Sequence, residues 1–193
     1  IEGGARDGDR VTVNPLVTCG SCPACLAKRE NLCPTRQIIS MPPREGAFAQ
    51  YVSMPEVNLV SVPDDVPLTK AALAEPLAVG WHACRLGLAA LHEAVTPRAL
   101  ILGGGAIGLA SALSLRAMGV KDITIAETND ARRAFLSDHC AERTVAQADG
   151  LYPLVVDAVG YAGTRAIASA CWRRWVSRSA SSSARLCRSP SPR

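Results

Sequence analysis

Cys19, Cys22, Cys25 and Cys33 sit together in the string CGSCPACLAKRENLCP. Gaps of two residues let a tight turn aim successive sulfurs at one point, and a gap of seven lets the chain loop back to close a tetrahedron. That is how a structural Zn²⁺ site is built. Four thiolates fill the coordination sphere and leave no position for water or substrate, so such a metal holds a loop in shape rather than performing chemistry. Other uses of the thiols stay open on spacing alone. Disulfides suit a secreted chain, but the sequence carries no recognisable signal peptide and the cluster lies in a polar loop. An iron–sulfur cluster has Cys33-Pro34 in its favour, yet ferredoxin spacing brings the last cysteine closer than it stands here. Unligated thiols are the third alternative.

A second group of residues has chemistry in its backbone. Arg98-Ala-Leu-Ile-Leu is followed by Gly103-Gly-Gly-Ala-Ile-Gly108 and an apolar, helix-forming run to Met118. Strand, glycine turn and helix in that order form the dinucleotide fingerprint. Gly103 permits the tight turn, Gly105 lets backbone approach a pyrophosphate, and Gly108 lets helix pack closely on strand. Ala106 and Ile107 complete the turn, and the phosphates meet the helix N-terminus with its free N–H groups. Lys121-Asp-Ile-Thr-Ile-Ala126 reads as the next strand. It ends at Glu127, nineteen residues after Gly108, where an acid grips adenosine ribose hydroxyls. A carboxylate there repels a 2′-phosphate and favours NAD over NADP. Arg132 and Arg133 follow closely and soften that preference, unless they form an ordinary solvated helix face. The uncharged run from Ala99 to Leu115 is at the short edge of a membrane span, and three consecutive glycines argue against one.

These groups need elements to hold them. Expected strands lie near Arg10 to Val13, Ala47 to Val52 and Leu59 to Val62. A connecting helix runs from about Lys70 to Leu88, with Pro63, Pro67 and Pro76 punctuating the crossing between domains. Further strands are expected near Ala99 to Leu102, Ile123 to Ala126, Thr144 to Val145 and Leu154 to Ala158, with a helix from Thr164 to Cys171. The net charge is +4, but Trp172 to Arg193 holds six arginines, seven serines and no acid. Without those six, 15 basic residues face 17 acidic ones, a net of −2, so the basicity belongs to the tail. An Arg/Ser tail attracts phosphate and suits RNA or an acidic surface. The blander cause is a shifted reading frame in GC-rich coding sequence; resequencing that returns the same frame rules it out. Either way the tail buries too little apolar area to order itself.

The order of motifs is itself informative. Gly8-Asp9-Arg10-Val11, the cysteine lobe, Gly46-Ala-Phe-Ala-Gln-Tyr51-Val52, Ala74-Glu75-Pro76-Leu77-Ala78 and the glycine turn together resemble the zinc-dependent medium-chain alcohol and polyol dehydrogenases of the sorbitol dehydrogenase type. The resemblance covers Asp7 to about Cys171. It implies an α/β architecture, with part of a GroES-like β-rich catalytic domain over residues 1–70 carrying the zinc lobe. A linking helix and a truncated Rossmann doubly wound parallel sheet follow over 71–171, and the Arg/Ser tail over 172–193.

Residue by residue, the resemblance implies that Cys19, Cys22, Cys25 and Cys33 ligate structural zinc. Ile107, Glu127 and Arg132 then match positions that contact the adenosine and pyrophosphate half of NAD, and Gly103, Gly105, Ala106 and Gly108 of the turn complete the expected cofactor-binding set. It places Glu75 at the catalytic zinc or its bound water; a helix N-terminal acid favoured by the dipole, ahead of Pro76, is the alternative. The implied reaction is hydride transfer between a secondary alcohol or polyol and NAD, with zinc as Lewis acid.

The departures matter too. The upstream cysteine and Gly-His-Glu segment that ligate catalytic zinc in the family lie outside this sequence, so catalytic zinc and turnover are expected only in a full-length parent. The three histidines, His82, His92 and His139, are expected to be packed or solvated. Poor solubility or association is expected of a truncated sheet. The parent is expected to be a cytoplasmic homo-oligomer with no membrane and no nucleic-acid partner. A noncatalytic zinc- and nucleotide-binding remnant, and a zinc-ribbon nucleic-acid binder using the basic tail, are the alternatives.

Overall fold

The computed structural model describes residues 6–140 and 142–172. They divide into two compact units, one reaching Glu75 and the other starting at Pro76. In the first, β1 (Val11–Val13) pairs antiparallel with β4 (Leu59–Ser61), Val11 opposite Ser61. β2 (Leu16–Val17) pairs antiparallel with β3 (Gln37–Ile38). Buried Asn58 ties the two ribbons together: its Nδ2 donates to the carbonyls of Asn14 at 2.8 Å and Leu16 at 2.7 Å. A buried amide with partners on both ribbons sets their register, because losing either partner leaves a polar group dry. Arg10 adds a clamp, donating to the carbonyls of Pro63, Asp64 and Val66.

Two expectations for this unit need correction. Ala47 to Val52 forms no strand. Among the described residues no strand pairs with it, Phe48 and Tyr51 are exposed, and both line an open hollow of about 680 Å³ with Val52 and Met54. A run of apolar residues makes a strand only when a neighbour takes its backbone bonds and covers one face. The continuous helix from Lys70 to Leu88 is instead two: α2 (Leu68–Ala71) and α3 (Ala74–Ala89). Proline explains the break. Pro76 has no N–H to offer the carbonyl of Ala72, and its ring crowds that carbonyl, so the helix restarts with Pro76 in its first turn, where no N–H is needed. The short α1 (Pro23–Leu26) lies in the cysteine lobe and likewise opens on a proline.

The second unit is a parallel sheet. β5 (Arg98–Leu102), β6 (Asp122–Ala126), β7 (Arg143–Val145) and β8 (Leu154–Asp157) stand in the order β7-β6-β5-β8. α4 (Ala106–Ala117), α5 (Asp130–Cys140) and α6 (Ala162–Cys171) follow β5, β6 and β8. From Ala99 to Leu102 every side chain of β5 is buried, as a strand covered on both faces requires. Alternation sends Ala99 and Ile101 into one core with Leu115, Ile125 and Leu136, and Leu100 and Leu102 into the other with Tyr152 and Cys171. α3 meets α4 so closely that a Cβ on Gly80 would stand 2.7 Å from the Ala110 carbonyl carbon. Beyond α6, Trp172 makes a parallel bridge to Tyr152. The strands expected in this half are all present within a residue or two of their predicted ends.

The rest of the Arg/Ser tail, read from sequence as disordered or frame-shifted, lies outside the described residues. Among those described, no helix is long and apolar enough to cross a membrane.

Candidate functional site

Local backbone explains how four sulfurs meet. Cys22 caps α1, so Cys25 follows one turn later, and a 3₁₀ turn over Glu30–Leu32 returns the chain at Cys33. Gly20 supplies the left-handed turn, with φ of +72°. The Cys22 N–H donates to Sγ of Cys19 at 3.3 Å. All four sulfurs lie within 4.8 Å of one another. Cys22 to Cys25 spans 3.5 Å, Cys33 to Cys19 3.7 Å and Cys19 to Cys25 3.9 Å. Bonds of about 2.3 Å to a tetrahedral Zn²⁺ place sulfurs about 3.8 Å apart, so the donor set and its spacing fit that ion.

The thiols are not alike. Backbone N–H groups of Ser21 and Cys22 stabilise the Cys19 thiolate and hold it down at about 5. Burial, reinforced by the Cys22 thiol, pushes Cys25 up to about 11. Cys33 is lowered by backbone donation at Cys19 and by the Thr35 hydroxyl. A dication at the centre brings all four to thiolate, so metal binding there releases protons.

The glycine turn is built differently. Gly103 leaves β5 with φ of +91°, and its N–H donates to the Ala126 carbonyl at 2.8 Å. A Cβ on Gly108 would fall 1.9 Å from the Gly103 carbonyl oxygen. Only glycine allows α4 to start that near the strand. Gly105 caps α4 with ordinary φ of −74°, and a Cβ there would meet nothing within 4 Å. Open space faces Gly105, Ala106 is exposed beside it, and Ile107 is half-buried. The turn sits where strand order reverses between β5 and β8, the place where open α/β sheets leave a crevice at the carboxyl ends of their strands. Val159, after β8, closes on it: its Cγ2 is 2.5 Å from where a Gly103 Cβ would be. The cradle fits a phosphate-bearing ligand, with an exposed helix start and no side chain in the way.

Glu127 is buried at the end of β6. Its Oε2 accepts from the Gly104 N–H at 2.9 Å and from Arg132 Nη1 at 2.9 Å, and its Oε1 from the Asn129 N–H at 2.8 Å. Burial alone would raise this carboxyl, but donation by Asn129, Gly104 and Arg132 outweighs it and holds the group down at about 2. Arg133 donates to the Glu127 carbonyl at 2.7 Å and pairs with Asp130, so it is a bonded partner of the turn rather than a merely solvated cation.

Glu75 is exposed in the first turn of α3. His82 is exposed, His92 Nδ1 accepts from the Ala94 N–H, and His139 stacks on Phe135 at 4.7 Å. Among the described residues, the four cysteines are the only group of three or more His, Cys, Asp or Glu drawn together.

Sequence reasoning missed Asp157. Its Oδ1 accepts from the N–H groups of Val159 and Gly160, and its Oδ2 from the Thr164 hydroxyl at 2.9 Å. Burial works against ionisation, yet those donors keep the carboxyl below its usual range. It braces the loop that carries Val159 against the glycine turn. The signal was legible in VVDAVG, an apolar strand ending in Asp-x-x-Gly.

Comparison with known proteins follows the same division. Residues 2–64 match the alcohol dehydrogenase GroES-like domain. The chain is 39% identical over 127 residues to sorbitol dehydrogenase of Bacillus subtilis (strain 168), covering 65% of this chain and 34% of that protein. It is 36% identical over 131 residues to L-idonate 5-dehydrogenase of Vitis vinifera, covering 68% and 35%. Among solved structures it resembles a short chain alcohol dehydrogenase from E. coli CFT073 complexed with NADH, with TM-score 0.77 and 25% identity over 87% of this chain and 52% of that one. The chain spans about a third of the length of the two curated relatives.

Proposed function

We propose that the chain, similar to alcohol and polyol dehydrogenases, belongs to the zinc-type family of these enzymes and supplies the structural-zinc lobe and the first half of the NAD-binding domain of an enzyme oxidising a secondary alcohol or polyol. One observation carries this reading: a glycine turn with open space over Gly105 stands at the reversal of strand order, with an ionised Glu127 at the end of the neighbouring strand.

In this reading Cys19, Cys22, Cys25 and Cys33 hold Zn²⁺. The N–H groups at the start of α4, with Gly105, Ala106 and Ile107, take the pyrophosphate, while Gly103 and Gly108 shape the turn. Glu127 meets a ribose hydroxyl, disfavours a 2′-phosphate and so selects NAD, with Arg132 beside it. Glu75 is assigned to the catalytic metal or its water. When bound, NAD supplies the hydride acceptor at nicotinamide C4 and a catalytic zinc supplies the Lewis acid that lowers the alcohol's pKa. This chain's own part is to anchor the adenosine half and fix its direction of approach, which makes an encounter effectively unimolecular. A reducing compartment, the cytoplasm, suits thiolate ligands, and we assign the parent enzyme there as a homo-oligomer.

A second reading is zinc and nucleotide binding without turnover, supported by the four gathered cysteines and the open glycine turn, which it shares with the first. Metal analysis and calorimetry test both. About one zinc per chain and measurable ADP binding support the shared core. Iron with sulfide, or a folded protein with no metal, overturns it. NADH formed from NAD and a panel of secondary alcohols by the isolated chain overturns the second reading alone.

A further inference from the structure

We propose that Glu127 is a positioning residue for the glycine turn, holding the Gly104 N–H so that the turn stays open for a diphosphate, in addition to any contact with ribose. This rests on the reading of the turn as a nucleotide site. Three observations converge on it. Two successive N–H groups stitch the turn to the end of β6: Gly103 to the Ala126 carbonyl at 2.8 Å and Gly104 to Glu127 Oε2 at 2.9 Å. The second stitch is a side chain on a fixed base, because the Glu127 N–H itself donates to the Val145 carbonyl at 2.9 Å. Gly104 is seated against that side chain: a Cβ there would lie 3.3 Å from Glu127 Cβ and 2.6 Å from Leu136 Cδ1.

Lone-pair counting separates this role from ribose recognition. A carboxylate offers about four acceptor sites. Gly104 and Arg132 occupy Oε2 and Asn129 takes one site on Oε1. What remains is one site on Oε1, enough for a single hydroxyl of a vicinal pair. Most of the carboxylate's hydrogen-bonding capacity is therefore spent on the protein. The phosphate donors of the turn are then the N–H groups beyond Gly104, at the start of α4.

The test is calorimetry of the full chain with ADP and with 2′,3′-dideoxyadenosine diphosphate, which lacks both hydroxyls, in wild type, Glu127→Ala and Glu127→Gln. Deleting a carboxylate near a diphosphate strengthens binding of the dideoxy compound if charge is all that matters. Positioning predicts the reverse: about tenfold weaker binding in Glu127→Ala, and binding within about threefold of wild type in Glu127→Gln, whose amide oxygen still accepts from Gly104. Unchanged or tighter dideoxy binding in Glu127→Ala overturns the proposal and leaves the nucleotide reading intact. If Glu127→Ala does not fold, loss of dideoxy binding in folded Glu127→Gln overturns it. Failure of the wild type to bind ADP overturns the nucleotide reading instead, and hydrogen exchange at the Gly104 amide then decides. Exchange about tenfold faster in the variant than in wild type upholds the holding role; equal exchange overturns it.

Discussion

The thiol cluster and the glycine turn are both small loops built to receive something, and they are built on opposite principles. In the cysteine lobe, side chains converge and the backbone follows: α1 is one turn long, and four sulfurs stand 3.5 to 3.9 Å apart where measured in pairs. Beside them Leu26 and Leu32 are exposed, and among the described residues the buried apolar clusters lie in the sheet unit. In the glycine turn the backbone converges and side chains are removed: a Cβ at Gly103, Gly104 or Gly108 would clash. Its order comes from a packed parallel sheet. A site made of ligands is therefore only as stable as its ion, whereas a site made of packing persists empty.

The strongest challenge to that contrast is Cys33→Ser. Structural zinc contributes on the order of 10 kcal/mol to folding a small lobe, so losing one of four ligands should lower zinc affinity by at least about 100-fold. Competition with a chromophoric chelator reads the affinity. Hydrogen exchange should show protection falling over residues 16–38 and unchanged over β5 and β6. Equal loss in both regions breaks the contrast.

Gly108→Ala attacks the other side. With its Cβ placed 1.9 Å from the Gly103 carbonyl oxygen, α4 must move, at a cost of about 3 kcal/mol. A melt of the zinc-loaded protein should fall by several degrees, with the zinc content untouched. A variant melting like wild type removes the packing account of the turn.

Protons sharpen the comparison further. Glu127 is held at about 2 against an ordinary 4.5. A depressed carboxyl contributes stability that is fully present above its unfolded value, so the contribution of on the order of 2–3 kcal/mol is lost as pH falls from about 4.5 toward 2. Glu127→Gln should flatten that part of the stability profile while leaving stability above pH 5 lower by a similar amount. An unchanged acid limb in the variant would show that Glu127 is not the titrating group.

What could be read in advance follows the same divide. Cys19, Cys22, Cys25 and Cys33 were legible because ligand spacing is a one-dimensional signal, and β5, β6 and β8 because buried parallel strands are continuous apolar runs. The break before Ala74 was legible in principle: Pro76 denies a bond to Ala72, a rule that acts at fixed offset. Ala47 to Val52 was misread because an aromatic and β-branched apolar run says nothing about whether a partner strand is beside it. Asp157 and the Gly104 contact to Glu127 were missed for other reasons. The Gly104 contact joins residues brought together by the pairing of β5 with β6, which is not written in either segment, whereas Asp157 binds its own loop at Val159, Gly160 and Thr164, so its Asp-x-x-Gly signal lay in one segment and was overlooked.

The smallest expected change in stability belongs to Gly105→Ala, and it isolates the most specific claim. Gly105 has φ of −74°, which alanine adopts without strain, and a Cβ there would meet no protein atom within 4 Å. The fold should shift by no more than about 0.5 kcal/mol, the ordinary scatter of a surface substitution. If open space over Gly105 is kept for a diphosphate, the added methyl stands where the ligand must lie, and ADP affinity should fall about tenfold. Gly108→Ala removes binding by displacing the helix; Gly105→Ala should remove it while displacing nothing. Calorimetry with ADP beside a thermal melt separates the two. Unaltered ADP binding in Gly105→Ala would mean that the diphosphate approaches the turn elsewhere, and that this glycine is a helix cap with no part in recognition.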